Sequence, residues 1–229
     1  MQITDTKKRR IFNADHAKIK MDFENFILEN DHPCLMAKTV FSMDKVELKT
    51  YKEFGSLESS KRLIKDLENY IADYDFESND FKTFMAVFPD SPKYSEIAFE
   101  KLLWKQLNNL HQLDNKKWDP EVSENPEDKN FSFSLGGKAF YIVGLHPNSS
   151  RLARQSPYVT LTFNLHLQFE KLREMGSYET VRDRIRERDT NLQGNINPML
   201  EDFGKSSEAK QYSGRNVGKE WKCPFHNNN

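Results

Sequence analysis

A β-hairpin near the middle of the chain constrains its fold more than any other feature. Residues 131–135 and 138–145 are rich in aromatic and β-branched side chains, which favour strands. Gly136 and Gly137 between them are typical of a two-residue hairpin turn. Pro147 ends the second strand, because proline has no backbone N–H for the sheet ladder. The chain therefore contains antiparallel strands on which its other elements must pack.

The remaining pattern predicts an α+β fold, in which a mainly antiparallel sheet of about five strands packs against helices. Three further apolar runs predict strands at residues 34–41, 81–88 and 158–163. Apolar residues at three- and four-residue steps predict helices over residues 16–29, from Ser59 or Ser60 to about Tyr74, from Ser95 to about Leu110, and over residues 164–175.

The length of 229 residues fits a single domain with a substantial core. Residues 1–15 are polar and predicted to be frayed, and residues 114–130 are predicted to form a polar surface loop. Residues 191–229 lack periodicity, but they contain Trp221 and Phe225, which a disordered tail does not need. We therefore expect this irregular C-terminal segment to fold back onto the domain, over the loop that follows the hairpin.

Charge and hydropathy exclude several partners. The net charge of -1, from 34 basic and 35 acidic side chains, argues against a broad basic face for nucleic acid. The sequence lacks an apolar run of about 18 residues, and its N-terminus lacks the apolar core of a secretory signal, so no membrane partner is expected. Its two cysteines, Cys34 and Cys223, are too few for a disulfide framework. These features predict a cytoplasmic protein.

The loop after the hairpin carries the densest polar chemistry of the chain. It contains an imidazole, an amide, two hydroxyls and two cations, without an acidic residue: His146, Asn148, Ser149, Ser150, Arg151 and Arg154. Such a loop can hold an anion, bind a metal or cap a helix. Residue types alone do not decide among these three roles.

Three other features have two interpretations each. Cys34, at the start of a predicted strand, is read as a small core residue rather than a reactive thiol. His166 has only Glu170 at helical spacing as a partner for a metal, which favours a structural histidine. Arginines alternate over residues 181–190, either on an exposed helix held by ion pairs or with one pair facing inward toward an anionic ligand or partner acid.

Several motifs in a fixed order resemble one family. They are His146-Pro-Asn-Ser-Ser-Arg151 with Ala153-Arg154, Phe163-Asn164, Ile185-Arg-Glu-Arg-Asp189 with Leu192-Gln193-Gly194, Asn197-Pro198 with Asp202-Phe-Gly204, Gln211-Tyr-Ser-Gly214 and Trp221-x-Cys-Pro-Phe225. In this combination the chain resembles the YqcI/YcgG family, most densely over residues 139–225.

The resemblance implies a function. Members of that family with an assigned activity are heme-dependent N-hydroxylases of guanidino compounds, including the arginine N-hydroxylase of D-cycloserine biosynthesis and the corresponding guanitoxin-pathway enzyme. The resemblance therefore implies heme b as the cofactor. It also implies a reaction in which dioxygen hydroxylates a nitrogen of an arginine-like guanidino or amino compound. The implied partners are that small molecule and an electron-donor protein or reductant.

The same resemblance directs attention to particular residues. His146 is the expected axial ligand of the iron, with the thiolate of Cys223 as the alternative. Arg151 and Arg154 are expected to hold the heme propionates, and Asn148 and Ser149 to orient the imidazole or cap a helix. A guanidinium substrate requires a carboxylate, for which Asp202, Glu201, Asp189 and Glu187 are available and Asp202 is the first candidate. The expected catalytic residues are therefore His146, Asn148 and Asp202.

Two other functions remain open. One is a heme-binding or gas-sensing protein without catalysis. The other is a hydrolase or transferase without heme that uses Cys223 or a serine with His146. The sequence lacks the Gly-x-Ser-x-Gly, Cys-x-x-Cys and His-Glu-x-x-His spacings that usually mark that last class.

Overall fold

A five-stranded sheet forms the centre of the molecule. The computed structural model describes residues 5–225, and the side chains from residue 15 onward. The strands lie in the spatial order β1-β2-β5-β4-β3. β1 and β2 are parallel, whereas the other neighbouring pairs are antiparallel. The strands are β1 (Val46–Thr50), β2 (Thr83–Phe88), β3 (Phe133–Leu135), β4 (Lys138–Leu145) and β5 (Val159–Leu165).

Helices cover both faces of this sheet, which makes the fold α+β as predicted. They are α1 (Asp5–Glu24), α2 (Leu35–Ser42), α3 (Leu57–Ala72), α4 (Glu96–Leu113), α5 (His166–Glu174), α6 (Tyr178–Gln193) and α7 (Ala209–Tyr212). A π-helical turn, Asn25–Glu29, continues α1, and a 3₁₀ turn, Leu152–Arg154, lies in the loop after β4. Within residues 5–225, no helix combines the length and the apolar character that crossing a bilayer requires.

The hairpin has the predicted register and turn. Leu135 pairs with Lys138, and both turn glycines have positive φ, 63° at Gly136 and 76° at Gly137. A two-residue type I′ turn needs these values, and glycine adopts them without steric strain. The sequence-based bounds of β4 are therefore confirmed.

One sheet face carries the main hydrophobic core. Residues of β2, β4 and β5 that point to this face pack against α3 and α4, and the aromatic side chains are fully buried: Phe84, Phe88, Phe99, Trp104, Phe140 and Phe163. α3 is capped by Ser56 and α4 by Ser95, each accepting from the backbone N–H three residues later. The cap of α4 was predicted correctly, whereas that of α3 lies three residues before Ser59.

The predicted strand at residues 34–41 is wrong, because α2 occupies this segment. The side chain of Cys34 accepts from the backbone N–H of Ala37 and thereby caps the helix. A short apolar run has no periodicity that separates a buried strand from a buried helix turn. The fifth strand is β1 instead, at the sheet edge, where its alternating sequence was not recognised.

The C-terminal segment folds back onto the domain, as predicted. Tyr212 and Phe225 are buried in the main core, and the Tyr212 hydroxyl accepts from the backbone N–H of Phe133 at 2.9 Å. The segment is not wholly irregular, since α6 extends to Gln193 and α7 lies within it. Residues 1–4 and 226–229 lie outside the described residues.

Candidate functional site

A cavity of about 330 Å³ lies on the sheet face opposite the main core. Side chains alternate between the two faces of a strand, so alternate residues of three strands form its floor. They are Thr83 and Met85 of β2, Tyr141, Val143 and Leu145 of β4, and Thr162 and Asn164 of β5. The π-helical turn, α2, α5, α6 and residues 197–211 enclose the remaining sides. This volume is within the range of small-molecule and cofactor sites.

Arg154 places a buried positive charge in the cavity wall. Its guanidinium donates to the carbonyl oxygens of Gly144, at 3.0 Å, and Gln211, at 3.2 Å. Among the side chains described, no carboxylate forms an ion pair with it. These neutral carbonyl groups accept its hydrogen bonds but do not cancel the positive charge of the guanidinium. The cavity wall at Arg154 therefore favours an anion.

Arg151 also lines the cavity, but its charge is neutralised. Its guanidinium forms a buried ion pair with Asp189 of α6 and donates to the side-chain oxygen of Asn195 at 2.6 Å. This pair joins the loop after β4 to the end of α6. Arg151 and Arg154 thus lie together as predicted, but only Arg154 retains an uncompensated charge.

Asp202 lies in the cavity wall between two arginines. Arg182 and Arg186, one helical turn apart on α6, each donate to its carboxylate at 3.0 Å. The alternating arginines therefore follow the second interpretation, with one pair facing inward toward a partner acid. Because these arginines neutralise Asp202, it is poorly suited to hold a guanidinium substrate.

Cys34 presents a thiol to the cavity from the N-terminus of α2. Its sulfur accepts from the Ala37 N–H at 3.4 Å, and part of its surface remains accessible. Burial raises the pKa of the Cys34 thiol, while the Ala37 and Met36 amides and the charge of Arg154 act in the opposite direction. Burial has the largest effect, so the thiol keeps its proton unless a metal ion displaces it; the amides and the charge of Arg154 would then stabilise the thiolate.

A carboxyl and an imidazole meet at another part of the wall. Oε1 of Glu208 lies 3.8 Å from Nε2 of His166, and both side chains are buried. Burial raises the pKa of Glu208 to about 8. Burial, together with Arg173, lowers the pKa of His166 to about 4. Near pH 7 this is therefore a neutral carboxylic acid beside a neutral imidazole.

His146 does not line this cavity. Because Leu145 points into it, the next residue points to the opposite face, where the His146 ring stacks on Phe99 of α4 at 4.3 Å between centroids. The ring is fully buried, and neither nitrogen has a hydrogen-bond partner among the described residues. The prediction that His146 and the arginines share a cavity is therefore wrong.

The other predicted ligand and loop residues also lie elsewhere. Cys223 is buried in the main core, outside the cavity lining, and burial raises the pKa of its thiol to about 12. The Asn148 amide donates to the carbonyl oxygen of Tyr94 at 3.1 Å, and the Ser149 hydroxyl accepts from the backbone N–H of Arg151 at 3.3 Å. Asn148 and Ser149 thus hold the loop in place and do not contact the cavity.

The sequence analysis interpreted Cys34 as a core residue and His166 as a structural histidine, and it did not single out Glu208, yet all three line the cavity wall. The segment His32-Pro33-Cys34 gave no signal for a helix start, because cysteine is not among the preferred N-cap residues. Glu208 had no local signal either. Its side chain contacts Tyr212, four residues later on α7, and His166 of α5, which only tertiary packing brings to it.

The described residues contain no group of three or more His, Cys, Asp or Glu side chains arranged to hold a bare metal ion. A heme iron needs only one or two protein ligands, because the porphyrin supplies four nitrogens. A single suitable side chain in the cavity would therefore be enough to hold a heme iron.

Comparison with known proteins identifies relatives. The model of the YqcI/YcgG family matches residues 23–226. Two proteins of Bacillus subtilis (strain 168), both described as uncharacterized, are similar over most of their lengths. YcgG is 27% identical over 209 residues, covering 84% of this chain and 80% of that protein. YqcI is 26% identical over 210 residues, covering 86% of this chain and 81% of that protein. No solved structure matches the chain.

Proposed function

The chain belongs to the YqcI/YcgG family, and from this membership and the cavity we propose that it is a heme-dependent oxygenase. Its reaction is the hydroxylation of a nitrogen of a guanidino or amino compound with dioxygen. The observation that carries the proposal is that Cys34 and the uncompensated Arg154 line one cavity. An iron ligand and a propionate partner are the two polar functions that a heme site must supply.

The residues of the cavity fit such a group. Cys34 is the residue that would hold the iron, because coordination would displace the thiol proton to solvent and the α2 amides would stabilise the thiolate. Arg154 would hold a propionate through its charge. Val143, Leu145 and Phe169 provide apolar wall for the macrocycle. This assignment replaces His146 and Cys223, which lie on the other side of the sheet.

A bound thiolate-ligated heme would supply activation of dioxygen, with one oxygen atom inserted into an N–H bond and the other leaving as water. That stoichiometry consumes two electrons and two protons, so an external electron-donor protein or reductant is required. The chain's own contribution is to exclude water with its apolar walls and to orient the nitrogen compound.

The test is heme content and turnover of the purified protein after expression with heme supply. We expect about one heme per chain and a Soret band. With dioxygen and a reductant, we expect a hydroxylated product from L-arginine or a related guanidine. Failure to bind heme contradicts the proposal. A heme-loaded protein that turns over no guanidino or amino compound contradicts the catalytic part and favours a heme-binding or gas-sensing role.

A further inference from the structure

Glu208 differs from the other buried acids of the cavity wall in that no lysine or arginine among the described residues forms an ion pair with it. Asp189 is paired with Arg151, and Asp202 with Arg182 and Arg186. Glu201 is exposed, so water solvates it. Glu208 is only 5% exposed. It is therefore the buried cavity carboxyl whose negative charge the fold does not compensate.

The neighbours of Glu208 leave it available to a ligand. The Tyr212 hydroxyl donates to Oε2 at 3.3 Å, and His166 lies 3.8 Å from Oε1, beyond hydrogen-bond distance. On α5, Arg173 is ion-paired with Glu170. Ser132, which immediately precedes β3, also lies against Glu208 and acts to lower its pKa. Its other charged and titratable neighbours are thus either neutral near pH 7 or already paired.

Three amide side chains of the cavity wall, those of Asn164, Gln168 and Gln211, are hydrogen-bonded within the protein through both their oxygen and their nitrogen. Asn164 accepts from the Thr83 hydroxyl and donates to the Tyr141 carbonyl oxygen. Gln168 bonds both backbone groups of Lys82. Gln211 accepts from the Tyr141 hydroxyl and donates to the Glu201 carbonyl oxygen. A cationic ligand entering this part of the cavity therefore finds these three amides engaged and, in Glu208, a buried carboxyl that no lysine or arginine among the described residues neutralises.

We propose that Glu208 anchors the cationic group of the substrate and thereby selects guanidinium or ammonium compounds over neutral ones. The inference deepens the proposed function, on which it rests for the class of ligand. A guanidinium donates two N–H groups to one carboxylate and supplies the missing positive charge. A neutral ligand supplies no such charge. Asp202, the carboxylate favoured by the sequence, is already neutralised by two arginines.

Binding of a cation to Glu208 is expected to release a proton. Glu208 is mostly protonated at pH 7 because burial raises its pKa to about 8. The carboxylate form is required for pairing with a cation, so cation binding must displace this proton. Proton release thus accompanies binding and reports on Glu208 itself.

Calorimetric titration of the purified full chain with L-arginine, agmatine and L-citrulline tests the proposal. Citrulline is the control ligand, since it replaces the guanidinium of arginine by a neutral urea group. At pH 7 we expect arginine and agmatine to bind at least about tenfold more tightly than citrulline. Titration in buffers of different ionisation enthalpy is expected to show release of close to one proton per cation bound.

Glu208→Gln is the test variant, and Glu201→Gln is the matched control at the exposed cavity rim. Glu208→Gln is expected to weaken arginine binding at least about tenfold and to abolish both discrimination against citrulline and proton release. Glu201→Gln is expected to behave as wild type. Wild-type arginine affinity in Glu208→Gln overturns the proposal, as does absence of binding by both cationic probes at millimolar concentration.

Heme content measured on the same samples separates this inference from the proposed function. Glu208-dependent arginine binding to a protein that takes up no heme overturns the oxygenase proposal and supports the cation site. Heme-dependent turnover of arginine that is equal in wild type and Glu208→Gln overturns the cation site and supports the oxygenase.

Discussion

The ring of His146 stacks on the ring of Phe99, with centroids 4.3 Å apart and planes 22° from parallel. This contact holds the imidazole against α4, on the sheet face that carries the main core. The cavity with Cys34, Arg154 and Glu208 lies on the other face. The motif that is most prominent in the sequence therefore contributes Arg151 and Arg154 to the cavity, while its histidine contributes to packing.

Replacement of His146 tests its structural role. We expect His146→Leu to change the free energy of unfolding by no more than about 1 kcal/mol, because it removes two buried nitrogens without partners and loses one ring stack. His32→Leu is the matched control. Both ring nitrogens of His32 are hydrogen-bonded, to the Ala153 carbonyl and the Cys34 N–H, so its loss is expected to destabilise by about 1–3 kcal/mol. Denaturant unfolding measures the free energy of unfolding of both variants. A larger loss of stability in His146→Leu than in His32→Leu contradicts this account.

The ion pair between Arg151 and Asp189 is expected to contribute strongly to the order of the cavity wall. Asp189→Asn leaves a buried guanidinium without its counter-charge, so we expect a loss of about 3 kcal/mol. The exposed pair of Lys20 and Asp44 provides the control. Asp44→Asn is expected to change stability by less than about 1 kcal/mol, and asparagine tolerates the positive φ of this position. Equal effects of the two substitutions in urea unfolding are inconsistent with a buried pair.

The buried acid predicts a particular pH dependence of stability. The folded-state pKa of Glu208, about 8, exceeds the ordinary glutamate pKa of 4.5 that is expected in the unfolded chain. The folded protein therefore binds the extra proton between these values, and Glu208 lowers stability progressively as pH rises through them. Glu208→Gln removes this dependence. We expect its stability relative to wild type to increase by at least about 1 kcal/mol from pH 5 to pH 9, measured by thermal unfolding in paired buffers. A difference in stability between Glu208→Gln and wild type that stays constant from pH 5 to pH 9 would mean that folding does not raise the pKa of Glu208.

Gly144 marks the close approach of β4 to α4. A Cβ atom there would lie 2.7 Å from Cδ1 of Leu103 and 2.7 Å from the carbonyl oxygen of Tyr212. We expect Gly144→Ala to destabilise by about 1–3 kcal/mol, since backbone as well as side chain must shift. Gly218→Ala, which meets nothing within 4 Å, is expected to be nearly neutral. Calorimetric unfolding of the two variants checks the difference, and equal melting temperatures contradict the packing described for β4.

The sequence predicts elements well where a single local signal decides them. The hairpin around Gly136 and Gly137, and α4 after Ser95, both have signals within a few residues. Residues 34–41 have none, because the helix there depends on a sulfur cap and on burial by neighbouring elements. Short apolar runs of this kind are decided by tertiary packing rather than by propensity.

The candidate site was predicted in part, and the limit has a physical cause. Arg151, Arg154 and Asp202 were identified and do line the cavity. A strand, however, sends adjacent residues to opposite faces, so proximity of His146 to the arginines in sequence did not imply a shared cavity. The sequence did not reveal that Asp202 is neutralised, since it lies after the end of α6 and only the fold brings it to Arg182 and Arg186 on that helix.

Heme binding by wild type, Cys34→Ser and Cys223→Ala tests the central claim most directly. Serine preserves the N-cap of α2 but removes the thiolate, and Cys223→Ala removes the other thiol without burying a hydroxyl. The account predicts about one heme per chain in wild type and Cys223→Ala, both with the carbon monoxide difference spectrum of thiolate ligation. Cys34→Ser is predicted to lose that spectrum and to bind heme at least about tenfold more weakly, with circular dichroism showing an intact fold. Full heme content with an unchanged spectrum in Cys34→Ser would contradict the account.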